Sequence, residues 1–466
     1  MADDVDGAPT VAGAAGAGGA GGAAGAGGAA GPAGAGGTAA GDGGDGGERF
    51  GVLTDAAIAR SRRRVGVLRP GAGRPHNHEV TWDASRHFAY GYGDDNPLYC
   101  EPEYARGTRW GTLIAPPTFL YTMGENIVRR ADPETRALLR GDPFAGLGSY
   151  QAVMEFEWWR PFRLGDRART IHSQVGVTAK RSSFGGRTAH VTNETIYSND
   201  GGELTCLQRG TWVNAERHTS RERRKEHDLP QPYTAEQLAE IDAAYAGETR
   251  RGGIPRFFED VEIGAELPTK VKGPLTTTDV VVWHLGWGMQ LTPPGTFKIA
   301  YQVRRKAPGL YPPNALNIPD TVQRLHWDPQ RAQELGLATS YDYGGMRETW
   351  LCHLLTDWVG DDGWLWKLSA QHRRFNFVGD TTWVSGRVVD KRQVDGRNEV
   401  QVELHCTNQR GVVTSPATAV VLLPTRDEPV VALPTPPRDT LEAMIEYEIE
   451  RIRLAEAAAE RTEQPA

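Results

Sequence analysis

Two long stretches of the chain carry one pattern of apolar and polar positions. In the first, "HNHEVTWDASRHFAYGYGDDNP" reads as a short strand and then a helix starting near Asp83. A loop around Tyr99 follows, and "IAPPTFLYTMGENIVRR" reads as a helix entered through prolines. Four strand-like runs come next, Tyr150 to Trp159, Ala168 to Ala179, Arg187 to Tyr197 and Glu203 to Val213. The turn signals "RLGD", "SFGG" and "NDGG" separate them. The second stretch repeats the order. "ELPTKVKGPLTTTDVVVWHLGWG" leads to a loop around His326, and "YDYGGMRETWLCHLLTDWV" reads as a helix. Strands are expected at Trp364 to Phe377, Thr382 to Lys391, Asn398 to Cys406 and Val412 to Leu422.

The repeat is visible residue by residue. "NPLYCEPEYA" lies on "QRLHWDPQRA", which puts Tyr99 on His326 and Ala105 on Ala332. "RPFRLGDRARTIHSQV" lies on "RRFNFVGDTTWVSGRVV", with Gly-Asp at the turn of both. A helix followed by a run of antiparallel strands, twice, predicts an α+β fold in which each sheet wraps one helix. The expected units are 48–215 and 255–425, joined by a charged linker over 216–254. A Gly/Ala-rich tail occupies 1–47 and a helical tail 426–466. The C-terminal helix has apolar residues at Leu441, Met444, Ile445, Ile449 and Leu454, a face for its own chain, for a homodimer or for a hetero-oligomer.

The Gly/Ala tail lacks the apolar side chains that offset chain entropy, so it is expected to be disordered. Deleting it through Gly47 should leave the melting temperature unchanged; a drop of several degrees in a thermal melt would show that it packs. With 466 residues, two or three domains are expected. A net charge of -7 supplies no footprint for nucleic acid or an anionic membrane. No apolar run reaches the roughly 20 residues of a membrane span, and no secretory signal is expected at the N-terminus. Four scattered cysteines without a CxxC pair fit reduced thiols in a cytoplasmic protein.

"GDDNPLYCEPEYA" and "IAPPTF" resemble the N-terminal half of MaoC-like dehydratases, the double-hotdog relatives of (R)-specific enoyl-CoA hydratases. The likeness covers about residues 50–215 and, more loosely, 255–425, where an insertion from "MQLTPPGTFK" onward interrupts it. The resemblance implies a double hotdog that hydrates a 2-enoyl thioester or dehydrates a 3-hydroxyacyl thioester. The substrate is held on coenzyme A or an acyl-carrier protein, and no metal or redox cofactor is needed.

Such chemistry needs one group to take a proton from water and one to deliver a proton to the α-carbon. A helix N-terminus supplies N–H donors to the thioester oxygen. The family loop reads G-D-x-N-P-x-H. The first unit keeps its Asp as Asp94 but has Tyr99 in the His position and Pro116-Pro117, one of them at the helix entry, where proline has no N–H to give. It is expected to be non-catalytic. The second unit has His326, and Gly344 and Gly345 at the helix entry. Its nearest preceding carboxylate is Asp320, one residue out of register with the strict position, Thr321. The candidates are therefore His326 and Asp320 for catalysis, with Gly344, Gly345 and Asp342 at the oxyanion and substrate side; Asp342 or Asp328 can take the place of Asp320.

Other features have plainer readings. Asp279 and His284 share the family spacing, but Asp279 with Thr276 looks like a helix cap. "RSRRR" and "RERRK" are candidates for coenzyme A phosphates or simply solvated charge. Trp283, Trp287, Trp327, Trp350 and Trp358 are core or acyl-pocket residues. Two other activities remain as alternatives: a non-catalytic acyl-thioester-binding or assembly subunit, and a hotdog thioesterase.

Overall fold

The computed structural model describes residues 51–449 apart from 72–74, 129–130, 183–185, 217–228, 289–290 and 292–293. The Gly/Ala tail, "RERRK" and Leu454 lie outside the described residues.

Ten strands form one sheet. They are β1 (Glu125–Asn126), β2 (Gly148–Trp158), β3 (Ala168–Ser182), β4 (Gly186–Asn199), β5 (Leu204–Ala215), β6 (Lys270–Lys272), β7 (Trp364–Gln371), β8 (Thr382–Val394), β9 (Arg397–Asn408) and β10 (Val413–Leu422). Their order is β1-β3-β4-β5-β2-β7-β10-β9-β8-β6. Read outward from the centre, β2-β5-β4-β3 mirrors β7-β10-β9-β8, so the sequence repeat becomes a pseudo-two-fold in space. The halves join where β2 pairs antiparallel with β7, from Val153↔Gln371 to Glu157↔Lys367. This is a double hotdog.

The helices that matter for the site are α1 (Trp82–Tyr90), α2 (Thr277–Trp287), α3 (Phe297–Lys306) and α4 (Gly344–Val359). α4 is the central helix of the second unit, and nearly every residue from Gly345 to Val359 is buried. A helix wrapped on all sides by protein has no solvent face, which is why its pattern is apolar all round. It still carries Arg347, Glu348, His353 and Asp357 into the interior, and each has a partner.

The first unit departs from the expected pattern. "IAPPTFLYTMGENIVRR" does not form a long helix; only Pro117–Thr122 coils, as a 3₁₀ turn. Chain geometry accounts for the stop. Gly124 takes φ 128, and a Cβ there would lie 2.7 Å from the Thr170 methyl, so the backbone turns aside into β1. The strand expected to reach Phe377 ends at Gln371.

Between the units, a helix over Ala235–Ala246 is held by a Thr234/Gln237 capping box. Tyr233 just before it and Tyr245 in its last turn donate hydroxyl hydrogens to the Gly379 and Gly273 carbonyls. The C-terminal helix, described over 438–449, lays Met444 on Trp159, Ile171 and Leu207 of its own sheet. Leu441, Ile445 and Ile449 stay exposed.

Because the β2–β7 seam carries the continuous sheet, residues 255–425 expressed alone should be insoluble or self-associated: β7 becomes an open edge. A dispersed, monomeric NMR spectrum of that fragment would contradict this.

Candidate functional site

His326 ends a 3₁₀ turn, Val322–His326, in the loop before α4. Its ring stacks on Tyr343, with centroids 3.6 Å apart, and Tyr343 is the residue from which α4 starts. Nδ1 lies 2.8 Å from the Tyr341 carbonyl oxygen. A carbonyl only accepts, so Nδ1 carries the proton and Nε2 is left as the basic atom. Burial pushes the imidazole down to about 3. It is therefore neutral at ordinary pH, with the tautomer set by Tyr341.

α4 begins beside this ring. Gly344 and Gly345 open the helix, and no side chain caps it. The first turn of a helix presents N–H groups that the helix itself leaves unused. A Cβ at Gly344 would meet Gln151 Oε1 at 2.6 Å, and one at Gly345 would meet the Tyr121 ring at 3.4 Å. The first unit's β2 and 3₁₀ turn thus pack directly on the helix start, most tightly at Gly344.

Asp342 lies two residues before Gly344, where α4 starts. It is fully buried, and its Oδ2 faces Arg347 Nε at 3.0 Å and Asn376 Nδ2 at 3.2 Å. Its Oδ1 has no hydrogen bond among the described residues. Burial raises the carboxyl to about 7, against the lowering pull of Arg347.

The other carboxylates are engaged elsewhere. Asp320 is half-buried, and its Oδ1 accepts from the next residue's N–H, Thr321, at 2.7 Å. No hydrogen bond or ion pair joins it to His326 among the described residues. Asp328 caps the helix Pro329–Glu334 through the N–H groups of Gln330 and Arg331.

The structure brings in a residue that sequence spacing had set aside. Asp279 does form a capping box with Thr276. His284, however, points inward from α2, its Nε2 is 3.1 Å from the Tyr343 hydroxyl, and burial lowers it to about 4. The polar indole nitrogens of Trp283 and Trp287 and Nδ1 of His284 are buried without a hydrogen-bond partner among the described residues. Trp287 packs on Tyr343 at 4.8 Å. A histidine on the inner face of an apolar helix was the available signal; its neighbour Tyr343 lies 59 residues away and could not be read from spacing.

The corresponding place in the first unit is different in kind. Asp94 accepts from the Tyr92 hydroxyl and the Asn96 N–H, each at 2.9 Å, and faces His353 Nε2 of α4 at 3.5 Å. His353 Nε2 is also 3.2 Å from Asp357, which Lys270 approaches at 2.7 Å, and Lys272 Nζ lies 2.9 Å from His353 Nδ1. The trio Asp94, His353 and Asp357 is close enough to hold a cation, but two ammonium groups already stand against it. Next to this network a cavity of about 50 Å³ is lined by Tyr99, Pro117, Trp158, Thr356 and Trp364, among others. It lies at the C-terminal end of α4. His326 stands at the other end, about 24 Å away along a 16-residue helix.

Of the basic run Arg60 to Arg64, Arg64 is spent on the carbonyls of Leu138, Arg140 and Gly141. Trp283, Trp287, Trp350 and Trp358 belong to the main core.

Comparisons with known proteins bear on the family and the fold. Residues 72–208 match the family profile "FAS1-like, dehydratase domain region". A "UPF0336 protein" of Saccharopolyspora erythraea is 32% identical over 139 residues, 29% of this chain and 81% of the relative. The chain belongs to the family of the UPF0336 proteins and has the double-hotdog fold of MaoC-like dehydratases. A UPF0336 protein of Streptomyces avermitilis is 36% identical over 101 residues, 21% of this chain and 61% of the relative. The "Probable enoyl-CoA hydratase alpha subunit" of Thermomonospora curvata is 27% identical over 131 residues, 27% of this chain and 41% of that protein. The chain thus spans less than two thirds of the length of these last two relatives. A solved "MaoC-like dehydratase" superposes with a TM-score of 0.52 at 18% identity, covering 78% of this chain and 99% of that one, which shows the shared fold. The profile match lies on the first unit, whereas the loop histidine lies in the second. Among the described residues no helix is long and apolar enough to cross a membrane.

Proposed function

We propose that this MaoC-like protein hydrates a 2-enoyl thioester, or runs the reverse dehydration, at the His326 end of α4. The observation that carries the reading is the neutral His326 imidazole, its tautomer held by Tyr341, beside a helix start opened by two glycines. In the hydration direction Nε2 of His326 takes a proton from water as the oxygen bonds to C3. The thioester oxygen gains enolate charge, and the N–H groups of Gly344 and Gly345 receive it. Asp342, near neutrality, protonates C2. Proton return from the imidazolium to Asp342 restores the starting state. Asp320 holds the turn that carries His326. Coenzyme A or a carrier protein is the handle, no cofactor is required, and the first unit serves as the structural partner.

The test is loss of the conjugated thioester's ultraviolet absorbance when crotonyl-CoA is added. Hydration should fall as pH rises through about 7, because Asp342 must be protonated to act as the acid. Asp342→Asn should remove that limb along with most of the rate, while Asp320→Asn should cost little. An Asp320→Asn variant as inactive as the Asp342 one would reassign the carboxylate. No decay with any enoyl-CoA, together with tight binding of the thioester, would favour the non-catalytic acyl-binding reading, and thiol release would favour the thioesterase.

A further inference from the structure

The insertion between α2 and the His326 loop has no role in the chemistry above. Its only α-helix among the described residues, α3, reads "FKIAYQVRRK", and none of its residues is buried. A ten-residue helix is marginal without a packed face. Its exposed apolar groups are large: Phe297 is 92% exposed, and Ile299 and Tyr301 are exposed beside it. Leu316 and Ile318, later in the insertion, are exposed too. Phe297 also sits at φ 49, in a region that bulky residues rarely enter. The charge is one-sided. Between Leu291 and Pro319 the sequence has Lys298, Arg304, Arg305 and Lys306 and no carboxylate, in a chain whose net charge is -7.

This surface is tied to the proposed site at both ends. α2, which precedes it, supplies His284 and Trp287 against Tyr343. After it, the Pro312 and Pro313 carbonyls accept from the buried Arg324 guanidinium at 2.9 and 2.8 Å, two residues before His326. Five residues lie between Lys306 and Pro312, six chain steps that span at most about 22 Å. The insertion that carries the cations is thus anchored to the turn that carries His326.

We propose that α3 is the docking surface for an acidic acyl-carrier protein that presents the enoyl thioester on its pantetheine arm. The proposal rests on the dehydratase reading and names the handle which that reading leaves open. Coenzyme A phosphates would need the cations but give no reason for the exposed apolar groups. A lipid surface would accept both but gives no reason for their place beside His326. An acidic protein with an apolar patch uses both features.

The test uses the full chain and the triple variant Arg304→Glu/Arg305→Glu/Lys306→Glu, with Phe297→Ser as a second variant. No residue of α3 is buried, so both should fold as the parent does. Crotonyl groups are offered on an acyl-carrier protein and on coenzyme A. For the carrier substrate, kcat/KM of the triple variant should fall about tenfold or more, and the parent's value should fall with added salt. For crotonyl-CoA it should stay within about twofold. Fluorescence anisotropy with a labelled carrier protein lacking an acyl group reads docking without turnover. Carrier binding without any hydration would sink the dehydratase reading and keep the docking surface. Hydration of crotonyl-CoA with no carrier binding would sink the docking surface alone. A parallel loss with both substrates, variant-sensitive binding to phosphatidylglycerol vesicles in place of the carrier, or a self-association that the variants abolish would also overturn it.

Discussion

Replacing His326 by alanine is expected to lower kcat for enoyl-thioester hydration by about 10²–10⁴-fold, the usual weight of a positioned proton-transfer group. KM should change much less, because the imidazole acts on water and on the transition state and does not hold the substrate. The ring is buried against Tyr343, so alanine also leaves a hole. His326→Gln is the companion variant: its amide can still donate to the Tyr341 carbonyl and fill most of the space, but it cannot take a proton. Equal losses in both variants, with melting temperatures near the parent's for glutamine, would identify the missing proton transfer as the cause. Tyr99→Phe is the control from the first unit. It removes a buried hydroxyl some 24 Å along the helix from His326 and should leave the rate within a few-fold. Full activity in both His326 variants would mean that the loop histidine is structural.

Acid should unfold the protein early. His172, His284 and His326 are buried and pushed by burial from the ordinary 6.5 down to about 4, 4 and 3. In the unfolded chain each takes a proton near 6.5, so the unfolded state binds more protons once the pH falls below that value. Stability is thus fully present above about 6.5 and is lost as the pH falls toward the folded values. Each tenfold loss of proton affinity on folding corresponds to about 1.4 kcal/mol, so each of the three buried imidazoles removes on the order of 3 kcal/mol by pH 4. Asp342 has the opposite sign. Its carboxyl is raised to about 7, and acidification relieves the cost of ionising it. Asp166, Asp357, Asp361 and Asp362 are raised too, but burial also lowers His76, His190, His353 and His372, so among the described residues seven lowered imidazoles stand against five raised carboxyls. Urea unfolding should show stability falling by several kcal/mol between pH 6.5 and 4.5, a large share of the roughly 5–15 kcal/mol of an ordinary domain. His172→Gln isolates one contribution away from the site, since glutamine can keep the contact with Thr195 now made by Nδ1 at 2.8 Å. It should flatten the slope by about one proton's worth. A slope unchanged by that variant would show that His172 is not held neutral in the fold.

The repeat was legible because strands alternate every second residue and end at Gly-Asp or Gly-Gly turns, patterns that need only neighbours to be read. Strand ends such as Thr382 and Leu422 agree with the observed ones for that reason. The long helix expected after Pro117 fails although its sequence suits one: the chain coils only to Thr122, and Gly124 at φ 128 packs against Thr170, more than forty residues on. His326 could be found because the duplicated loop places it on Tyr99. Its working state could not be read, since the Tyr341 carbonyl and the Tyr343 ring are brought to it by the start of α4. Asp320 was favoured over Asp342 by register in the sequence. In the fold Asp320 bonds to its own neighbour, and Asp342 has a buried oxygen without a hydrogen bond among the described residues.

By itself, then, the amino-acid sequence determined the two α+β units, the loss of histidine and helix-entry N–H groups in the first, and their presence as His326, Gly344 and Gly345 in the second. These are local matters of residue type and spacing. Tertiary structure alone decided that ten strands make one sheet through the β2–β7 seam, that His284 stands by Tyr343, and that His353 faces Asp94 across the units. It also set the protonation of His326 and Asp342, because a pKa depends on how much water the fold removes and on which charges it brings near, and neither quantity is written in neighbouring residues.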